Sequence, residues 1–302
     1  MCLVLIGWRA HPKYRLIVAA NRDEYYVRPA EPMRRWPEVP GLIAGRDVGA
    51  KNKAVGDPPG TWLGLTAEPN GHNRFAAVTN VRNPSDERAQ ARSRGALLMD
   101  FLGGGGDDPT QFNKKRCDPT EYVRSVASAP DDYNGYNLVV GDMASLWWHS
   151  NRGEATPQRL VPGFHGLSNA AFVSSVGVDP PGAELTAPQP VWPKVRAGVL
   201  GLRAVVESDA DAVDRYFEVL ADRTKAPDRL LPHTGVSHAM ERALSSRFIA
   251  HSVHGTRAST VLLVGEDGSF EITERSFGRL GRLTGTVSLH GPSGTMALPD
   301  VA

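Results

Sequence analysis

Residues 1–8, MCLVLIGW, and residues 14–24, YRLIVAANRDE, contain two apolar, branched-rich runs, Leu3 to Trp8 and Tyr14 to Ala20, separated by the polar, proline-containing turn Ala10-His11-Pro12-Lys13. Runs of this length and composition, bounded by turn residues, read as an antiparallel hairpin. If Arg9 faces Tyr14 across the turn, partner numbers sum to about 23, which sets Cys2 opposite Ala20 or Asn21 with Asp23 about two residues further on. Cys2 follows the initiator methionine and is small enough for an aminopeptidase to remove Met1. Removal would leave a thiol and an α-amine of reference pKa roughly 7.7 to 8.0 on one residue, nucleophile and base together. Asp23, within reach of that amine, would hold and orient the ammonium as the third group does in other nucleophile constellations. On residue type alone a plainer reading stands beside this one: Cys2 as a small buried hydrophobe and Asn21-Arg22-Asp23-Glu24 as a polar strand end.

Working outward, 302 residues with 41% hydrophobic content can bury a sizeable core, and no composition break forces a second domain. One domain over 1–282 is expected, with a glycine-, proline- and serine-rich tail at 283–302. The net charge of +1 leaves no electrostatic footprint for nucleic acid or an anionic membrane. Two distant cysteines make no disulfide framework; Cys117, in KKRCDP, reads as an exposed free thiol. No apolar stretch approaches the roughly 18 residues needed to span a bilayer. The opening run is short and lacks a positive leader, so a reduced, cytoplasmic setting is expected.

Along the chain, residues 28–60 are loop-dominated, with a short strand candidate at Leu42-Ile43-Ala44 and an ion pair expected at Gly45-Arg46-Asp47. Thr61 to Thr66 and Arg74 to Val81 read as strands around the hairpin dipeptide Asn70-Gly71. Asn80 closes a hydrophobic strand, where an amide either donates into a cleft or caps a turn. Leu98, Phe101 and Leu102 share a helical face that ends at Gly103-Gly104-Gly105-Gly106, and Asp118-Pro119 opens a helix with Tyr122, Val123 and Val126 inward. Strands return at Tyr136 to Val140 and Ser145 to His149, where neighbouring Trp147 and Trp148 must face opposite ways. Trp192-Pro193 opens a long helix bearing Val195, Val199, Leu202 and Val206, and a helix starting at Asp209 or Asp211 bears Val213, Tyr216, Phe217 and Leu220. Residues 225–247 read as irregular, followed by strands Phe248 to His254, Ser259 to Gly265 and Ser269 to Arg275. This alternation of strand blocks and helix pairs predicts an α+β fold, a four-layer αββα sandwich of two antiparallel sheets flanked by helices.

MCLVL and AANRDE resemble the opening of the NRDE family, also called the transport and Golgi organisation protein two family, named for the tetrad Asn21-Arg22-Asp23-Glu24. GTWLGL at 60–65, AAVTNVRNP at 76–84, SRG at 93–95, YNGYNLVVGD at 133–142, HGLSNA at 165–170 and GTRASTVLLV at 255–264 are similar to that family in register. The family in turn resembles the N-terminal nucleophile hydrolases of the penicillin V acylase and bile salt hydrolase type. That resemblance implies a catalytic set of Cys2, Asp23, Asn80, Asn169 and Arg257, with Asn80 and Asn169 donating to an oxyanion and Arg257 beside the nucleophile. It implies attack on a small acyl amide with no cofactor. The acylase pattern carries an arginine ahead of the acid, where this chain has Ala19-Ala20; Arg22 is not expected to replace it, because neighbouring strand residues point oppositely. The family's association with haem handling and acyl-lipid metabolism implies a competing class, a non-catalytic binder of haem or another apolar ligand, with Cys2, His165 or Tyr136 as axial ligand. His251 and His254, three apart in an expected strand, face opposite sides and do not form a metal pair.

Overall fold

The computed structural model describes residues 2–49, 59–67, 73–103, 118–153, 156–171, 173–177 and 192–291. Met1, the Asn70-Gly71 turn, Gly104 to Gly106, Cys117 and the tail from 292 lie outside them. In chain order the strands are β1 (Cys2–Trp8), β2 (Tyr14–Tyr25), β3 (Ala30–Arg35), β4 (Leu42–Asp47), β5 (Leu63–Thr66), β6 (Arg74–Asn80) and β7 (Tyr136–Gly141). They continue with β8 (Leu146–Ser150), β9 (Gln158–Arg159), β10 (Gly163–Leu167), β11 (Ser174–Gly177), β12 (His254–Gly265), β13 (Phe270–Phe277) and β14 (Leu283–Gly291). The α-helices are α1 (Arg94–Leu102), α2 (Pro119–Ser128), α3 (Pro193–Asp209), α4 (Val213–Leu220) and α5 (His238–Ala243).

Two seven-stranded antiparallel sheets result, ordered β11-β10-β1-β2-β12-β13-β14 and β3-β4-β5-β6-β7-β8-β9. Side-chain alternation sorts each strand between two cores. Cys2, Val4 and Ile6 of β1 and Leu16, Val18 and Ala20 of β2 face Phe75, Ala77 and Val139 of the second sheet. Leu3, Leu5, Ile17 and Ala19 face outward onto Val195, Val199 and Leu202 of α3 and Tyr216, Phe217 and Leu220 of α4. On the other side Ala76, Val78 and Leu138 meet Leu98, Phe101 and Leu102 of α1 and Tyr122, Val123 and Val126 of α2. The order helix, sheet, sheet, helix is the predicted αββα sandwich. Each fully buried aliphatic side chain contributes about 1.5–3 kcal/mol relative to exposure, so these three cores dominate the fold's stabilisation. Local signals set the helix starts: Asp118 accepts from the Thr120 and Glu121 amides at 2.7 and 3.3 Å, and Pro119 and Pro193 occupy the first turns of α2 and α3.

The structure corrects five expectations. Cys2 faces Arg22, Leu3 faces Asn21 and Val4 faces Ala20, so the first hairpin is shifted by one residue from the predicted register. Arg9 is the reason: it takes a left-handed backbone, φ 46°, and its amide donates to Arg15 O at 2.9 Å, which lengthens the turn. Residues 283–291 are a strand paired along β13 from Phe277–Leu283 to Phe270–Gly291, with Val287 and Leu289 against the inter-sheet core, instead of tail. Residues 238–243, read as irregular, form α5, and Phe248 to Val253 do not form a strand; β12 starts at His254. β3 occupies part of the expected loop as an edge strand, with Met33 its one fully buried side chain.

Candidate functional site

Beside the start of β1 and the ends of β2 and β6, a cavity of about 1070 Å³ opens. The first sheet supplies Cys2, Arg22, Asp23, Glu24 and His254, the second Val78, Thr79 and Asn80 with Trp62 just ahead of β5, and the segment around α5 closes it with Val236, Met240, Leu244, Ile249 and Val253. Cys2 is 7% exposed and is the free cysteine among the described residues. Burial raises its thiol above the ordinary value; Asp23 and Glu24 add to the rise and Arg22 opposes it. The Ser168 hydroxyl, in the HGLSNA stretch, donates to Cys2 O at 2.8 Å and so fixes the start of β1.

Arg22 was not expected at the nucleophile, yet the true register sets it directly opposite Cys2 and therefore on the same face of the sheet. It is buried, with Nη2 3.3 Å from Asp47 Oδ2, while Nη1 has no hydrogen-bond partner among the described residues. Arg28 clamps the same Asp47 with two bonds of 2.9 and 2.8 Å, tying β2 to β4. Asp23 lines the same cavity as Cys2, is 1% exposed, and accepts from the Thr256 hydroxyl at 2.7 Å. Burial raises its carboxyl above the usual range against the opposing pull of Lys194, the Thr256 bond and Arg82.

The two asparagines play different parts. Asn80 lines the cavity, whereas Asn169 is fully buried behind it and is not in the wall. Asn169 Nδ2 donates to Asn80 O at 3.0 Å and to Asn80 Oδ1 at 2.9 Å, so its amide orients Asn80. Arg257 is not in this wall either. β12 carries a bulge between Thr256, which faces Asp23, and Ala258, which faces Arg22. Arg257 is the extra residue; Nη1 donates to Tyr25 O at 3.1 Å and Arg28 O at 2.7 Å, and the side chain lines a separate cavity of about 190 Å³.

Sequence reasoning missed a second group of residues behind Cys2. Arg82, in the loop after β6, pairs with Glu241 of α5 at 2.6 Å, both almost fully buried. Lys194, in the first turn of α3, is 4% exposed and donates to Leu244 O at 3.2 Å. Burial brings its ammonium down to about 8, with Asp23 foremost among the charges opposing that fall. A charged residue beside a Trp-Pro helix start carries no distinguishing mark in sequence. His254 also lines the cavity, its imidazole brought down to about 4 chiefly by burial. Of the histidine and tyrosine named as haem ligands, neither reaches the cavity. His165 has Nδ1 2.7 Å from Ser175 Oγ and Nε2 2.8 Å from Val161 O, and Tyr136 lies fully buried in the core beneath α1 and α2. Among the described residues no group of three or more His, Cys, Asp or Glu could hold a metal ion, and no helix is long and apolar enough to cross a membrane.

An α+β sandwich with its first cysteine in the wall of a large cleft, lined from both sheets, is the class of protein that fold and site define. The comparisons then narrow it. The chain belongs to the Transport and Golgi organisation 2 family, whose model matches residues 1–279. It is 33% identical to the Transport and Golgi organization protein 2 homolog of Bos taurus and 31% identical to that of Homo sapiens, each over 91% of this chain and 93% of the relative. A Mus musculus homolog is 29% identical over the same shares.

Proposed function

We propose that the protein is a cysteine N-terminal nucleophile amidohydrolase that cleaves an acyl amide. The observation that carries this reading is Cys2 at the head of β1, in the cavity wall with Arg22, Asp23 and Asn80. With Met1 removed, the Cys2 α-amine takes the thiol proton. This step matters because burial holds the thiol above its ordinary value. The thiolate adds to the amide carbonyl, the C–N bond breaks, and the amine leaves with the proton the α-amine returns. Water then splits the thioester and restores the thiol. Asn80, its Oδ1 already engaged by Asn169, offers its NH2 to the oxyanion. One such donor is worth about 2.7–4 kcal/mol in the barrier. Asp23 holds the ammonium form of the amine, and this chemistry calls for no cofactor. Intact mass establishes whether Met1 is lost, and an acyl-amide panel with wild type, Cys2→Ser and Cys2→Ala tests the rest. Turnover abolished in Cys2→Ala supports the enzyme; turnover unchanged in it refutes it.

A second reading, a carrier of an apolar ligand, is favoured by one observation. About 1070 Å³ with Met240, Leu244, Ile249 and Val253 in its wall exceeds what a small acyl group fills. Haem fits this site poorly, since His165 and Tyr136 are engaged or buried elsewhere and Cys2 alone of the three meets the cavity. Titration with haem, followed by absorbance in wild type and Cys2→Ala, tests that case; a spectrum unaffected by Cys2→Ala removes Cys2 as its ligand.

A further inference from the structure

We propose that Ser168 is a positioning residue of the Cys2 site: its hydroxyl couples the head of β1 in the first sheet to Asn80 at the end of β6 in the second. Ser168 Oγ lies 2.8 Å from Cys2 O and 3.2 Å from Asn169 Oδ1, so a single proton serves two acceptors, with the shorter leg to Cys2. Asn169 carries the link onward, its Nδ2 donating to Asn80 O at 3.0 Å and to Asn80 Oδ1 at 2.9 Å. Ser168 is 3% exposed and Asn169 fully buried, whereas Cys2 and Asn80 stand in the cavity wall. A buried series of hydrogen bonds thus joins the nucleophile to the oxyanion donor, and it crosses from one sheet to the other.

The backbone here gives the reason a side chain is needed. The ladder between β1 and β10 ends at the pair of Val4 and Leu167. Beyond it the chain turns to the second sheet: Ser168 O accepts from the Thr79 hydroxyl of β6 at 2.5 Å and from Asn137 Nδ2 of β7 at 3.2 Å, and Asn169 O accepts from the Arg82 amide at 2.8 Å. Asn137 is itself fully buried and braces the same corner, donating to Thr79 Oγ1 at 3.1 Å and to Ala170 O at 2.8 Å. Residues 168 and 169 are therefore held by the second sheet through their carbonyls. Cys2 O lies past the end of the ladder and receives the Ser168 hydroxyl in place of a β10 amide. Alanine at 168 would keep the carbonyl bonds and lose the link alone. The inference rests on the reading of Cys2 as nucleophile and Asn80 as oxyanion donor, two groups whose relative placement sets the barrier.

The test reads both ends of the link by NMR in the full-length Cys117→Ser protein. Isotope-labelled cysteine there reports the Cys2 carbonyl carbon alone, and the Asn80 side-chain amide is assigned by its loss in Asn80→Ala. In Ser168→Ala both signals are expected to shift, and the Cys2 thiol to react with iodoacetamide about threefold faster or more, because a buried hydrogen bond no longer holds the strand start. Ser168→Thr keeps the hydroxyl and is expected to return all of these to near wild type. A merely structural serine, or one that anchors Cys2 alone, would lower the melting temperature of Ser168→Ala and leave the Asn80 amide unmoved; that result overturns the proposal. If Ser168→Ala does not fold, Asn80→Ala reads the link from its far end. The Cys2 carbonyl carbon must then shift, although no direct hydrogen bond joins Asn80 to Cys2, and an unmoved signal is again fatal. None of these readouts uses turnover, so absence of hydrolysis by wild type would defeat the enzyme reading and leave the link to its own result.

Discussion

Substituting Arg82 by methionine removes one half of the buried pair that fastens α5 over the cavity. Glu241 then keeps the two Thr234 donors on Oε1 and loses the guanidinium on Oε2, at 2% side-chain exposure. Breaking a buried pair from one side costs about 3–5 kcal/mol, because the surviving charge stays desolvated. That is a large part of a stability of order 5–15 kcal/mol. α5 has six residues, too few to persist without tertiary contacts, although Ser237 caps it through the Met240 amide at 3.3 Å. The loss should therefore be felt first in the wall that carries Ala239, Met240 and Ala243. Glu241→Gln keeps the oxygen that serves Thr234 and discards the charge, so Arg82→Met/Glu241→Gln is expected to lie within about 1–2 kcal/mol of wild type and to be more stable than Arg82→Met alone. Equilibrium urea unfolding of the four proteins gives the coupling, and hydrogen exchange of the 238–243 amides gives its location. A double variant as unstable as the sum of the singles, or an Arg82→Met cost below about 1 kcal/mol, would refute the reasoning.

Three further outcomes are expected. His149 is 1% exposed, its two ring nitrogens have no hydrogen-bond partner among the described residues, and its ring meets Tyr136 edge-on at 5.7 Å; His149→Phe should keep the ring contact and stabilise the chain by about 1–2 kcal/mol, seen as a higher urea midpoint. Gly166→Ala would set its Cβ 2.4 Å from Val199 Cγ2 and 3.0 Å from Val195 Cγ1 of α3, both on stiff β-branched side chains; a loss of about 1–3 kcal/mol is expected, largely relieved by Val199→Ala in the same chain. The unfolded His254 imidazole takes a proton below about 6.5 and the folded one only near 4, so its contribution is present above about 6.5 and is lost as pH falls toward 4; the urea midpoint of His254→Asn should be flatter through that window.

The layers were legible because they rest on periodicity. Val195, Val199, Leu202 and Val206 in helical step, and the alternation of Cys2-Val4-Ile6 against Leu3-Leu5, fix which faces are buried before any contact is known. What failed was governed by single backbone choices or by pairing at a distance. Nothing in Trp8-Arg9-Ala10 announces the left-handed Arg9, and that one residue moved Arg22 onto the face of Cys2. β14 is poor in large apolar residues and is ordered by its ladder with β13, which local propensity does not encode. Asn169 was expected from the resemblance as an oxyanion donor; the direction of its amide depends on Asn80, a partner 89 residues away, which sequence does not encode. Lys194 and Glu241 gave no signal at all, since a charge looks alike in sequence whether it is solvated or buried.

The buried charges behind Cys2 are a poor device for holding this fold together. Three hydrophobic cores already serve that end, and a buried ion pair exchanged for apolar side chains of similar volume is commonly neutral or more stable. The group also lies where the apolar cores give way to the cavity, and it draws on β2, the loop after β6, α3 and α5 at once. Such an arrangement sets electrostatic potential more effectively than it sets stability, because charges in a low-dielectric surround act on a neighbouring carboxyl and thiol far more strongly than they would in water. Removing the Asp23 charge should therefore make the Cys2 thiol easier to ionise, since that carboxylate adds to the rise that burial imposes on it.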